Sequence, residues 1–199
     1  MIGLHIVAVG KLKEAWMREG CAEYTKRLGL WSSVAVTEID EARLGSDPSP
    51  AEIAACIEKE GARILEKIPR GARVVALCIE GRQMPSEALA AYLSDAAAGG
   101  CGSFAFVIGG SHGLSDEVKR AAALRLSISP MTFPHQLARL LLLEQLYRAC
   151  AINAGTKYHK YRQCPRKHRL SAGVVHFCFC ACRMDWRLFP CGRLKRRKW

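Results

Sequence analysis

The chain has 199 residues, half of them hydrophobic, and carries 30 Lys and Arg against 18 Asp and Glu, a formal net charge of +12. That length and apolar content suit one folded domain with an appendage and exclude the low-hydrophobicity disordered class. The charge is concentrated at one end: positions 161–199 hold eleven Lys or Arg and one acid, Asp185, so the first 160 residues are nearly neutral and lack the basic surface of a general nucleic-acid binder.

Leu4 to Val9 is a β-branched run ending at Gly10, read as a first strand. Lys11 and Lys13 follow this run rather than precede it, and no small-residue cleavage site comes after, so it does not have the pattern of a signal peptide. Met17, Cys21, Tyr24 and Leu28 recur at helical spacing, and Ser33 to Ile39 predicts a second strand. A polar loop from Asp40 leads to Ser49-Pro50-Ala51-Glu52, a capping box with Pro at the first helical position; Ile53, Ile57, Ile64 and Ile68 predict the buried face of the helix it opens. Val74 to Ile79 reads as a third strand closed by Glu80-Gly81, and Pro85 to Ala98 as a helix stopped by Gly99-Gly100.

The most informative stretch runs from Ser103 to His135. Phe104 to Ile108 has the composition of a strand buried on both faces and empties into Gly109-Gly110-Ser111-His112-Gly113-Leu114. Ser115 caps a short helix with an acidic first turn, Leu124 to Ile128 forms a fifth strand, and a second loop, Ser129 to Pro134, opens the longest helix, Pro134 to about Ala154. Strands apolar on both faces and alternating with helices predict an α/β fold, a mostly parallel sheet covered on both sides. Two loops leaving its strands at one edge make a ligand crevice. The last helix is apolar almost all round, from Leu137 to Ile152, which predicts a homodimer packed through it. Its run Leu140 to Leu143 is bracketed by Arg139 and Glu144 and is too short to span a bilayer, so no membrane partner and a cytoplasmic location are expected.

Cys21, Cys56, Cys78, Cys101 and Cys150 read as small buried hydrophobes in a reducing compartment. Cys164, Cys178, Cys180, Cys182 and Cys191 crowd the tail in a Cys-x-Cys-x-Cys arrangement without paired C-x-x-C arms, which is not a standard zinc framework, and no metal site is expected. Residues 161–199 show no helical stripe longer than a turn and are read as an atypical basic, Cys-rich extension that is not a folded domain.

LHIVAVGKLKE, FVIGGSHGL, SPMTFPHQLARLLLLEQLYRA and KYHK, the last at 157–160, resemble the ribosomal large-subunit methyltransferase H family of the SPOUT group, over residues 1–160. The resemblance implies an α/β fold with a C-terminal trefoil knot, an obligate homodimer, and S-adenosyl-L-methionine as methyl donor. The implied reaction is N3-methylation of a pseudouridine in 23S rRNA on the assembled ribosome. Topology rules alone argue against any knot. The resemblance places cofactor contacts on Leu77, on Gly109 and Gly110, and on Ile128, Ser129, Pro130, Met131, Thr132 and Phe133. An apolar slot with backbone donors and a closely approaching glycine suits an adenine, whereas GGSHGL lacks the G-x-G-x-x-G dinucleotide spacing. His135 and His159 are the candidate general bases. Arg139, Arg148, Tyr158 and Lys160 are the candidate RNA contacts, with Tyr158-His159-Lys160 reaching the partner's site. Backbone amides and a nearby cation stabilising the imide anion are an alternative to a dedicated base. A noncatalytic RNA-binding or ribosome-assembly protein that keeps this fold is the rival function.

Overall fold

The structure is a computed structural model and describes residues 1–158. His159, Lys160 and the predicted extension 161–199 lie outside the described residues. Ten elements alternate: β1 (Ile2–Val9), α1 (Ala15–Leu28), β2 (Ser32–Ile39), α2 (Pro50–Lys67), β3 (Arg73–Gln83), α3 (Ser86–Ala98), β4 (Ser103–Ile108), α4 (Asp116–Ala121), β5 (Leu124–Ser127) and α5 (His135–Asn153). The five strands form one parallel sheet in the order β2-β1-β4-β3-β5.

Alternation along the central strands divides the core in two. Leu4, Ile6 and Ala8 of β1 and Phe104, Phe106 and Ile108 of β4 face one side, packed against α1, α3 and α5 through Leu28, Leu93, Leu142, Leu143 and Leu146. Val7, Val9, Ala76 and Val107 face the other side and meet Ile64 of α2 and Val118 of α4. Both sheet faces are therefore buried, which is why β1 and β4 read as continuous apolar runs. At about 25 cal/mol per Å² of apolar surface, each fully buried Leu or Phe contributes roughly 1.5–3 kcal/mol relative to an exposed one.

Local signals set most boundaries. The Ser49 hydroxyl accepts from Glu52 N, and the Glu52 carboxylate accepts from Ser49 N at 2.8 Å, the reciprocal box expected at the start of α2. Ser115 caps α4 by accepting from Val118 N. Two expectations need correction. The buried residues of α2 are Cys56, Glu60, Gly61 and Ile64, with Ile53, Ile57 and Ile68 only half-buried, because the inward face is centred on a carboxylate that an apolar stripe does not count. β3 does not stop at Glu80-Gly81 but runs to Gln83. Leu126 of β5 pairs with both Leu77 and Arg82, so the residues between them form an irregularity that bows out of the ladder.

Candidate functional site

Because every strand is parallel, the loops following β1, β2, β4 and β5 all leave the same edge of the sheet. The loops after β4 and β5 flank the end of β3, which lies between those two strands rather than leaving them adjacent. Together they enclose a cleft of about 600 Å³. Its walls are Leu77, Cys78, Ile79 and Glu80 of β3; Ile108 through Ser111, Gly113 and Leu114 after β4; and Leu126 through Ser129 and Met131 through Phe133 at the end of β5 and beyond. Pro134, His135, Ala138 and Lys119 complete it.

The cleft brings together Leu77, Gly109, Gly110, Ile128, Ser129, Met131, Thr132, Phe133 and His135 among the residues singled out in the sequence; Pro130 shares their loop but does not line the space. The two loops are fixed locally. A Cβ on Gly109 would stand 2.4 Å from the Gly113 carbonyl oxygen, so the turn closes only around a glycine. In the second loop the Ser127 hydroxyl donates to Ser129 O at 3.0 Å, and the Ser129 hydroxyl accepts from Met131 N at 3.0 Å. Met131 is largely exposed at the mouth.

An ion pair and a histidine–carboxylate pair edge this space. Lys119 Nζ lies 2.7 Å from Glu80 Oε1, and this hydrogen bond holds the Glu80 carboxyl below the usual glutamate range. Neither residue was anticipated, and the only sequence signal was a charged residue closing an apolar run. The second pair is His135 with Glu41: Nε2 stands 3.3 Å from Oε1, with the imidazole 16% exposed. His135 is the first residue of α5, directly after Pro134, and so is aimed at the cleft by the start of a rigid element.

The expected RNA contacts do not gather here. Arg139 is 1% exposed; its guanidinium donates from Nη1 to Glu38 Oε1 at 2.5 Å and from Nη2 to Gly10 O at 2.7 Å. The structure thus corrects its role: a cation sealed between β1, β2 and α5 fixes the strand ends and presents nothing to a phosphate. Arg148 pairs with Glu144 one turn earlier on α5 and covers the Tyr158 ring, its guanidinium 5.0 Å from the centroid. Tyr158 also packs edge-on to Tyr147 with centroids 4.6 Å apart and donates to Glu144 Oε1 at 3.2 Å. Burial, and then the Glu144 charge, push this phenol up from its ordinary value. This cluster sits toward the far end of α5, and at 1.5 Å per residue Arg148 is roughly 20 Å along the helix from His135. Within one chain, Arg148 and Tyr158 are not part of the cleft.

The cleft has the size and character for a nucleoside-bearing ligand: apolar walls from Leu77, Ile108, Leu126, Ile128 and Phe133, backbone groups from the glycine turn, and few charges. Among the described residues no three His, Cys, Asp or Glu side chains cluster as a metal site, and no helix is long and apolar enough to cross a membrane.

Comparison with known proteins agrees with this architecture. A family model described as "Predicted SPOUT methyltransferase" matches residues 2–159. The chain is 48% identical over 159 residues to the ribosomal RNA large subunit methyltransferase H of Bacillus thuringiensis strain Al Hakam, a match covering 80% of this chain and 100% of that one. It is 50% identical over 157 residues to a Methanoregula boonei protein provisionally named as the same enzyme, covering 79% of this chain and 99% of the relative. With a parallel α/β sheet, a loop-walled cleft at one edge, and identity at this level over nearly the whole of its relatives, the chain belongs to the SPOUT methyltransferase family.

Proposed function

We propose that this protein methylates large-subunit ribosomal RNA, using S-adenosyl-L-methionine, at N3 of a pseudouridine presented by the assembled ribosome. The observation that carries the reading is the cleft itself, where the glycine turn, the Ser127–Phe133 segment and His135 converge on one space. The named activity of relatives near 50% identity supports the substrate class.

Leu77, Ile108, Leu126, Ile128 and Phe133 would hold the adenine in an apolar slot, with the Gly109–Gly110 backbone approaching the ligand closely. S-Adenosyl-L-methionine, when bound, would supply an electrophilic methyl carbon attached to a sulfonium whose leaving group is a neutral thioether. The chain's work is to align the two reactants and to take the proton that the acceptor nitrogen gives up. His135 faces the cleft with Nε2 turned to Glu41, and its other ring nitrogen, Nδ1, has no partner among the described residues and serves as the base.

The near-neutral body suits recognition of one shaped site rather than of RNA in general, and a cytoplasmic setting fits such a substrate. We assign the functional unit as a homodimer in which Leu137, Leu140 and Leu141, half-buried on α5, are covered by a second copy. In that dimer, the segment following α5 supplies RNA contacts and a second candidate base, His159, to the partner's cleft. A trefoil knot in the β3–α5 region is the backbone path we assign, on membership of the SPOUT family.

Calorimetric titration tests the reading first. The protein binds S-adenosyl-L-methionine, and Gly109→Val loses that binding while its far-ultraviolet dichroism stays that of the parent. Mass spectrometry of nucleosides from treated ribosomes then shows one added methyl on pseudouridine. A folded protein without affinity for the donor leaves a noncatalytic RNA-binding role in its place.

A further inference from the structure

His135 meets Glu41 only because three separate segments are pinned around the contact. At Gly10, where β1 ends with φ +84°, a Cβ would stand 2.7 Å from His135 Nε2 and 2.9 Å from Glu41 Oε1. Only a residue without a side chain leaves room for the pair there, in a backbone conformation that also favours glycine.

The loop carrying Glu41 is anchored on both sides of it. Glu38 is held by Arg139, whose other arm holds Gly10 O. Asp40 pairs with Lys11 at 2.9 Å, and its carbonyl accepts from Arg63. Ala42 N donates to Glu60 Oε1 at 2.8 Å, and Glu60 is a carboxylate only 5% exposed. The other oxygen of that carboxylate abuts the cofactor loop, 2.9 Å from where a Gly110 Cβ would be. Arg139 thus ties the end of β2 to the end of β1, Glu60 sets the loop after β2 beside the loop after β4, and the side chain between their attachment points, Glu38 and Ala42, is the one that meets His135.

We propose that Glu41 is a positioning residue for His135: its carboxylate fixes the imidazole ring with Nε2 outward and Nδ1 free for the substrate. The proposal rests on His135 as the base of the reaction proposed above. A carboxylate 3.3 Å from Nε2 favours the tautomer carrying its proton on that nitrogen, which leaves the lone pair on Nδ1, the arrangement an acceptor of the substrate proton requires. Glu41 does not line the cleft and would touch neither reactant, so its effect is exerted through the ring alone.

The test compares the full chain with Glu41→Ala, Glu41→Gln and the neighbouring control Arg43→Ala. Ring nitrogen resonances of His135, assigned with His135→Asn, are read by long-range proton–nitrogen correlation in the unliganded protein. Donor affinity is read by calorimetry and single-turnover methylation by mass spectrometry. In Glu41→Ala the Nε2 resonance moves and the methylation rate falls about tenfold or more, the scale on which loss of an orienting partner acts, with donor affinity within about twofold of the parent. Glu41→Gln, which keeps an acceptor oxygen at nearly the same reach, recovers most of the rate, and Arg43→Ala changes neither signal. An unmoved His135 resonance in Glu41→Ala overturns the proposal, as does a loss of donor affinity as large as the loss of rate. If the parent protein methylates nothing, the proposed reaction fails, and the ring resonance still decides whether Glu41 holds His135.

Discussion

Gly81 lies so close to the main chain of Leu126 that a Cβ built on it would stand 2.7 Å from the Leu126 carbonyl carbon and 2.9 Å from the Arg125 carbonyl oxygen. The obstacle is backbone, which cannot swing aside as a flexible side chain could, and it belongs to the strand that leads into the second cleft loop. Gly81→Ala is expected to destabilise the protein by about 1–3 kcal/mol, the usual cost of forcing extra atoms into a packed region. It should also weaken donor binding, because β5 must move. Urea denaturation with calorimetry on the same samples checks both. A stable variant with parental affinity would mean that β5 can shift without disturbing the cleft.

That contact also marks what the sequence hides. All ten elements and the parallel α/β class follow from apolar periodicity, caps and glycines, and the two cleft loops were evident from the strand–glycine pattern after Ile108 and from Ser129-Pro130. The continuation of β3 was not legible, because Glu80-Gly81 has the chemistry of a strand stop and the pairing that carries the strand onward comes from Leu126, far along the chain. Glu41 and Glu60 were hidden for a similar reason. A carboxylate in a polar loop, or on a helix otherwise read by its isoleucines, acquires meaning only from the His135 or Ala42 that the fold sets beside it. Arg139, a candidate RNA contact through the family resemblance, is instead claimed by the strand ends through Glu38 and Gly10 O, partners that no sequence pattern marks.

Removing the Arg139 guanidinium leaves the Glu38 carboxylate and Gly10 O without their donor. Arg139→Leu should therefore cost about 3 kcal/mol, the low end for breaking a buried pair because Glu38 is partly solvated. The double variant Arg139→Leu with Glu38→Leu should recover part of that loss, since no orphaned charge remains. Thermal unfolding of the three proteins measures the coupling. A single variant as stable as the parent would remove Arg139 from the framework and return it to the list of RNA contacts.

The Lys119 hydrogen bond holds the Glu80 carboxyl lower in the folded protein than in the unfolded chain. Its stabilising effect is therefore fully present above the ordinary glutamate value of about 4.3 and is lost as the pH falls through the lowered folded value. Urea midpoints of the parent and Glu80→Gln, measured from neutral pH downward, should differ at neutrality and converge in acid. Equal midpoints at pH 7 would show that the pair edges the cleft without contributing to stability.

The match to relatives covers 159 of the 199 residues of this chain. The Bacillus thuringiensis protein is matched over its full length by 159 residues of this chain, so most of positions 161–199 has no counterpart in it. A chain ending at Lys160 is expected to fold, dimerise and methylate at least as well as the full chain. Ending it at Lys157 removes Tyr158, His159 and Lys160, and donor binding should persist because none of the cleft residues is lost. Methylation should fail, because the segment proposed to complete the partner's site is gone. Mixing this shorter chain with Gly109→Val should then restore some activity: heterodimers pair one intact cleft with one intact C-terminal segment, which neither homodimer has. Size-exclusion chromatography with light scattering verifies the mixed dimer, and nucleoside mass spectrometry reads the methyl. Undiminished methylation by the chain ending at Lys157 would place the whole active site within one subunit. Loss of methylation on removal of 161–199 alone would make the basic extension a working part of the enzyme.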